Sequence, residues 1–197
     1  MEKLRIRDAG AEDVPLVARC TAAAVGRYDF AGRPSEEQKR ILAHLEEICA
    51  REDTLYSYRN ARMAVVGGVP VGCLISYKGD DYARMRAATF ASSGTPAGMA
   101  DSDMETGPGE YYLDAMAVLP ACKGRGIGKE LMRDGIRKAA LAGCGTVTLL
   151  VDKTHPRLKA YYATLGFRDG EEVRFFGDTY IRMILQAPKQ TGPAENQ

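Results

Sequence analysis

The residues best placed to do chemistry lie in one stretch: Leu113-Asp114-Ala115-Met116-Ala117-Val118-Leu119-Pro120, followed by Lys123-Gly124-Arg125-Gly126-Ile127-Gly128-Lys129. An apolar strand runs into a glycine-rich turn that opens a helix. Such a turn aims several backbone N–H groups at one point, and the helix dipole adds partial positive charge there. Gly124, Gly126 and Gly128 leave out the Cβ atoms that would hold an anion away. Lys123, Arg125 and Lys129 add cations. The stretch therefore reads as a phosphate or pyrophosphate cradle. Two familiar nucleotide loops do not fit it. A Walker A loop needs glycine where Lys123 stands and a metal-binding Ser or Thr where Glu130 stands. A Rossmann fingerprint begun at Gly124 needs glycine at the position of Lys129.

On the strand ahead of the turn, side chains alternate, so a regular strand puts Glu110, Tyr112, Asp114, Met116 and Val118 on one face. Asp114 and Glu110 are then two carboxylates about 13 Å apart, at ~3.3 Å per residue. A carboxylate there takes a proton, binds a cation, or is an ordinary strand-end charge, and spacing alone leaves these open. Cys20, Cys49, Cys73, Cys122 and Cys144 show no metal-ligand spacing, and His44 and His155 lie far apart. No metal is expected. An odd number of thiols reads as reduced cysteine in a cytoplasmic protein.

The elements that must position these groups can be read from periodicity. Leu4 to Arg7 alternates as a first strand. A helical face follows from Glu12 to Val25, with Pro15 tolerated in its first turn. Ser35 and Gln38 form a capping box that starts a second helix. Met63–Val66 and Val71–Tyr77, broken by Gly67-Gly68, predict a β-hairpin. Residues 80–92 read as a helix and 92–109, rich in Gly, Ser, Pro and Asp, as a long loop, either a lid or simply mobile. A strand is predicted from Tyr111 to Leu119, a helix over 127–142, a strand over 146–151 and a short helix over 157–164. Two final strands fall near 173–176 and 179–185, and a polar tail from Pro188 reads as flexible. Such a mixed order predicts an α/β sheet with both parallel and antiparallel pairs. It forms one domain over 1–187, with 80–109 as an insertion and 188–197 as a tail.

The motif Gln/Arg-x-x-Gly-x-Gly/Ala fits this turn as Lys123-Gly124-Arg125-Gly126-Ile127-Gly128, with lysine as the first cation. Downstream stands Tyr161-Tyr162-Ala163-Thr164-Leu165-Gly166-Phe167, similar to a Leu-Tyr-x-x-Leu-Gly-Phe ending. Together these resemble the GNAT superfamily of N-acetyltransferases. The resemblance implies a mixed, mostly antiparallel central sheet of about seven strands flanked by helices. It also implies acetyl-CoA as co-substrate, its pyrophosphate on the amides of Lys123 to Lys129. The pantetheine arm would pair with the strand at Met116, Ala117 and Val118 like an added strand. His155 stands where the family often has asparagine at the cofactor.

Acyl transfer from a thioester to an amine needs a base for the ammonium, a donor for the oxyanion and a proton for the departing thiolate. Tyr162 falls on the family's tyrosine and suits the acid role. A phenol with pKa about 10 is roughly matched to a thiol at about 8.5. Asp114 occupies a strand position that several branches of the family make acidic. Asp114, Glu110 or a water chain serves as base. A non-catalytic acyl-CoA-binding or sensing module on the same fold is the alternative.

Composition bounds the partners. The 197 residues carry 27 basic and 26 acidic side chains. That balance predicts neither nucleic acid nor an anionic membrane as a general partner. The opening MEKLRIRDAG lacks a continuous apolar run, which reads against a signal peptide. Nothing approaches the roughly 20 apolar residues of a membrane span. A small-molecule or peptide amine is expected as acceptor, its site lined by the first two helices and the 80–109 insertion; a homodimer stays open.

Overall fold

The structure, a computed structural model, describes residues 2–93, 104–175 and 178–187. Among the described residues seven strands form one sheet: β1 (Leu4–Asp8), β2 (Ala61–Val66), β3 (Val69–Lys78), β4 (Glu110–Val118), β5 (Thr146–Asp152), β6 (Arg168–Phe175) and β7 (Asp178–Gln186). Their order is β1-β2-β3-β4-β5-β7-β6. Among these strands the β4–β5 pair is parallel and the other five pairs are antiparallel. This is the mixed, mostly antiparallel seven-stranded sheet expected from the sequence.

Among the described residues the α-helices are α1 (Val14–Ala24), α2 (Glu36–Ala50), α3 (Tyr82–Ser93), α4 (Ile127–Leu141) and α5 (Pro156–Thr164). The start of α2 is the expected capping box. Gln38 N donates to Ser35 Oγ at 3.2 Å, and Ser35 N donates to Gln38 Oε1 at 3.0 Å. These bonds satisfy amides that the first helical turn leaves without partners.

The sheet has a core on each face. On one side Val17, Ala18 and Cys20 of α1 and Cys49 of α2 pack with Met63, Ile75, Tyr77, Tyr112 and Ala115. On the other, Ile127, Leu131, Met132 and Ala139 of α4 pack with Leu74, Leu113, Val147 and Met183. Gly135 lets α4 lie close to the sheet, since a Cβ there would come within 2.8 Å of Leu74 and 2.9 Å of Leu113 side-chain carbons.

Two expectations are corrected. The β3–β4 register shifts between Leu74 and Ser76, whose partners are Met116 and Leu113. Three steps on β4 thus oppose two on β3, a bulge that breaks alternation. Tyr112 and Ala115 accordingly join the first core, whereas Leu113, Met116 and Val118 face the second. Asp114 therefore does not share a face with Met116 and Val118. Second, β6 begins at Arg168, before the expected 173. Its opening Arg168-Asp169-Gly170-Glu171-Glu172 is polar because β6 is an edge strand with exposed side chains. The helix expected over 80–92 is α3, which runs to Ser93, and residues 104–109 lead into β4. The rest of the expected loop (94–103) and the tail (188–197) lie outside the described residues.

Candidate active site

The site is built on a defect in the sheet. β4 pairs with β3 from Tyr111 to Val118, but with β5 only through Glu110, Tyr111 and Tyr112. Beyond them β5 stays paired with β7 as far as Asp152. The edge of β4 from Leu113 to Val118 that looks toward β5 is therefore left without a strand. The two strands diverge around a wedge that joins both faces of the sheet. Backbone groups along such an edge can receive an extended chain as another strand would. Met116, Ala117 and Val118 line it, and they also wall a cavity of about 650 Å³ with Lys123.

β4 leads through Pro120–Cys122 into the glycine turn. Gly124 and Gly126 adopt φ of 75° and 77°, left-handed conformations that cost glycine little. A Cβ on either would meet no protein atom within 4 Å, so the space before the turn is open. From Gly124 to Lys129 none of the backbone amides has a hydrogen-bond acceptor among the described residues; the first paired one is Glu130, bonded to Gly126 O at 3.1 Å. The N-terminus of α4 thus presents a run of unsatisfied donors beside exposed Lys123, Arg125 and Lys129. That is the donor set a pyrophosphate requires. Among the described residues no group of three or more potential ligands is placed to hold a metal.

Asp114 sits at the bulge, on the α1–α3 side. Tyr77 donates to its Oδ2 at 2.5 Å, and no other hydrogen bond reaches it among the described residues. Its side chain keeps some solvent access although packed surroundings enclose it. Desolvation first, then the negative charge of Glu105, pushes its carboxyl up to about 8 against the opposing Tyr77 hydrogen bond. A carboxyl in that range changes protonation near neutral pH, as a general base should.

Glu110 is differently placed. Its Oε2 accepts from Thr106 Oγ1 at 2.8 Å, Gly107 N at 3.2 Å and Thr148 Oγ1 at 3.2 Å, and it pairs with Arg182. Desolvation opposes these contacts, yet the Thr106 and Arg182 hydrogen bonds hold it below the usual carboxylate range. It ties the closed end of the wedge together and lacks the raised proton affinity of Asp114.

Tyr162, on α5, lies on the opposite face. Its ring meets Phe167 edge-on at 6.1 Å and Tyr161 at 5.5 Å, packing with the same core as Met116 and Val118. Its hydroxyl makes no hydrogen bond among the described residues. Burial, with a smaller contribution from Tyr161, pushes it up to about 12, so it stays a neutral donor. His155 caps the start of α5, its ring mostly exposed, 3.3 Å from Thr154 Oγ1 and 3.6 Å from Asp152.

The sequence-predicted residues do not all meet in one pocket. The cavity takes in Met116, Ala117, Val118 and Lys123, but Asp114 and Tyr162 are not among its walls. They flank β4 from opposite faces beside the wedge. Sequence reasoning did not single out Arg27, Tyr28, Asp29 and Phe30, the α1–α2 connection that forms the far wall. Phe30 has φ of 62°, and its ring packs against Tyr28 at 4.9 Å. Glu105 and the tyrosines around it were also missed.

A family model described as "Acetyltransferase (GNAT) family" matches residues 27–167. No curated protein matches the chain. Among solved structures, one titled simply as an acetyltransferase shares 26% identity over 93% of this chain and 100% of its own, with a TM-score of 0.72. An N-acetyltransferase from Staphylococcus aureus Mu50 is 21% identical over 92% and 100%, at TM-score 0.75. The ribosomal-protein-S18-alanine N-acetyltransferase from Escherichia coli is 17% identical over 99% and 100%, at TM-score 0.57.

Proposed function

Because the chain belongs to the acetyltransferase (GNAT) family, we propose that it is an N-acetyltransferase that moves acetyl from acetyl-CoA directly to an amine. The observation that carries this is the pairing of an open β4 edge with a run of unpartnered amides at the start of α4. Acetyl-CoA would supply the activated acyl group as a thioester. The amides from Gly124 to Lys129, with Lys123, Arg125 and Lys129, hold its pyrophosphate, and the backbone of Met116 to Val118 receives the pantetheine arm. His155, exposed at the start of α5, lies at the same open end of the sheet and adds a polar contact to the cofactor.

The residues divide the proton work across the wedge. Asp114 Oδ1, which has no hydrogen bond among the described residues, takes the ammonium proton directly or through one water. An amide on the Met116–Val118 edge supports the oxyanion. Tyr162, whose hydroxyl has no partner among the described residues, gives its proton to the departing thiolate. Glu110 is left out of this scheme because Arg182, Thr106 and Thr148 already hold its carboxylate. The acceptor, a small-molecule or peptide amine, enters past the α1–α2 connection. No helix among the described residues is long and apolar enough to cross a membrane. Five free cysteines support a reducing, cytoplasmic setting for a single domain over 1–187.

A panel of amines assayed by release of free thiol from acetyl-CoA tests this reading. Turnover on at least one amine is expected, while tight binding without turnover on any acceptor would favour the binding module.

A further inference from the structure

Glu105, between α3 and β4, has no task in the scheme above, yet the structure fixes it firmly. Its Oε1 accepts from Tyr82 of α3 at 3.0 Å and its Oε2 from Tyr112 of β4 at 2.9 Å. Its own amide donates to the Tyr82 hydroxyl at 3.4 Å, and its carbonyl accepts from Arg182 at 3.2 Å. Tyr77, the donor to Asp114, stacks on Tyr82 at 6.3 Å and tilts against Tyr112 at 5.8 Å. One block of three phenols thus holds Asp114 on one ring and Glu105 on the other two. Neither carboxylate has an ion-pair partner within 4 Å among the described residues.

We infer that Glu105 is a positioning residue whose charge, fixed by Tyr82 and Tyr112, sets the pH at which Asp114 gives up its proton. The inference rests on the reading of Asp114 as the base. Two carboxylates in one poorly solvated block resist being ionised together, so a charged Glu105 makes Asp114 hold its proton more tightly. The other groups facing the pair are Tyr56 ahead of β2, Arg86 of α3, and Tyr180 and Arg182 of β7. Arg86 stacks on Phe90 at 4.9 Å and offsets part of the Glu105 charge, and Arg182 is committed to Glu110 and Glu171. The phenols stay neutral: burial is the main cause for Tyr77, Tyr82 and Tyr112, and the Asp114 charge for Tyr56. Both carboxylates keep some exposure, so their protons exchange with solvent.

The test follows the Asp114 carboxyl by carbon NMR from pH 5 to 10 in the free protein, without turnover. Glu105→Gln keeps an acceptor for a tyrosine while removing the charge. It should lower the Asp114 midpoint by about one unit, within the range a neighbouring charge commands. Glu105→Asp, which restores a charge, should bring the midpoint back toward the wild-type value. An unmoved midpoint in Glu105→Gln overturns the inference. Should that variant not fold, Tyr112→Phe, which leaves Glu105 less readily ionised, must move the midpoint in the same direction. The pH dependence of kcat/KM separates the two claims. If the carboxyl midpoint falls and the acidic limb of the rate falls with it, both stand. If the midpoint falls and the limb does not follow, Glu105 still tunes Asp114, but Asp114 is not the base.

Discussion

Replacing Asp114 by asparagine should slow turnover and at the same time stabilise the protein, in a manner that depends on pH. The carboxyl is raised on folding from an ordinary 3.8 to about 8, chiefly by desolvation. A group held more tightly protonated when folded costs nothing below its unfolded value. The cost grows as pH climbs from there and levels off above the folded value. At pH 7 the gap from 3.8 is about three units, or about 4 kcal/mol at 1.36 kcal/mol per unit. Asp114 keeps some solvent access, which screens its charge. We therefore expect the neutral, isosteric Asp114→Asn variant to gain about 1–3 kcal/mol at pH 8 and close to nothing at pH 4. Its amide oxygen still accepts from Tyr77, so the native hydrogen bond survives the change. For a chain of this size each kcal/mol moves Tm by about 2–4 °C. Melting curves at half-unit steps from pH 4 to 9 should then diverge by roughly 5 °C at the alkaline end. Turnover at saturating acetyl-CoA should fall by about 10²-fold, within the usual range for a lost general base. Equal stability loss at both ends of the pH range would refute the desolvated-carboxyl argument. An unchanged pH–rate profile would refute the catalytic one.

Further variants probe the rest of the site and the scaffold. Tyr162→Phe keeps the ring against Phe167 and removes only the hydroxyl; a fall in kcat of about 10²-fold is expected. Acetyl-CoA affinity, read by calorimetry, should change less than about threefold, since one hydroxyl contributes about 1 kcal/mol or less. Gly126→Asp puts a side chain and a negative charge into the open space before the turn, at φ 77°. Calorimetry should find no acetyl-CoA binding, with a stability cost near 1–2 kcal/mol from the left-handed backbone. Asp134→Ala strips the buried guanidinium of Arg62, bonded through Nε at 2.5 Å, of its interior partner. Urea unfolding should report a loss of about 3 kcal/mol.

Sequence made some parts of this site plain and hid others for physical reasons. The turn from Lys123 to Lys129 was legible because its conformation is local, set by glycines within seven residues and a helix that follows at once. The capping box at Ser35 was legible for the same reason. The bulge at Asp114 was not. It is a mismatch in register between β3 and β4, and no residue type in Tyr112 to Met116 announces it. Period-two reasoning therefore carried Asp114 to the face of Met116 and Val118. Glu105 escaped because it sits in a Gly- and Pro-rich stretch with no periodicity. Its role comes from Tyr82, 23 residues earlier, and Arg182, 77 residues later. The start of β6 escaped because an edge strand has no need of an apolar face.

The central claim is that the turn before α4 and the open edge of β4 together hold acetyl-CoA. Isothermal titration of the wild-type chain with acetyl-CoA, run beside Gly126→Asp, tests it most directly. We predict saturable one-site binding in the micromolar range, about −8 kcal/mol, and loss of the signal in the folded variant. No heat and no thermal shift in the wild-type chain at millimolar acetyl-CoA, or equal affinity in the two proteins, would contradict it.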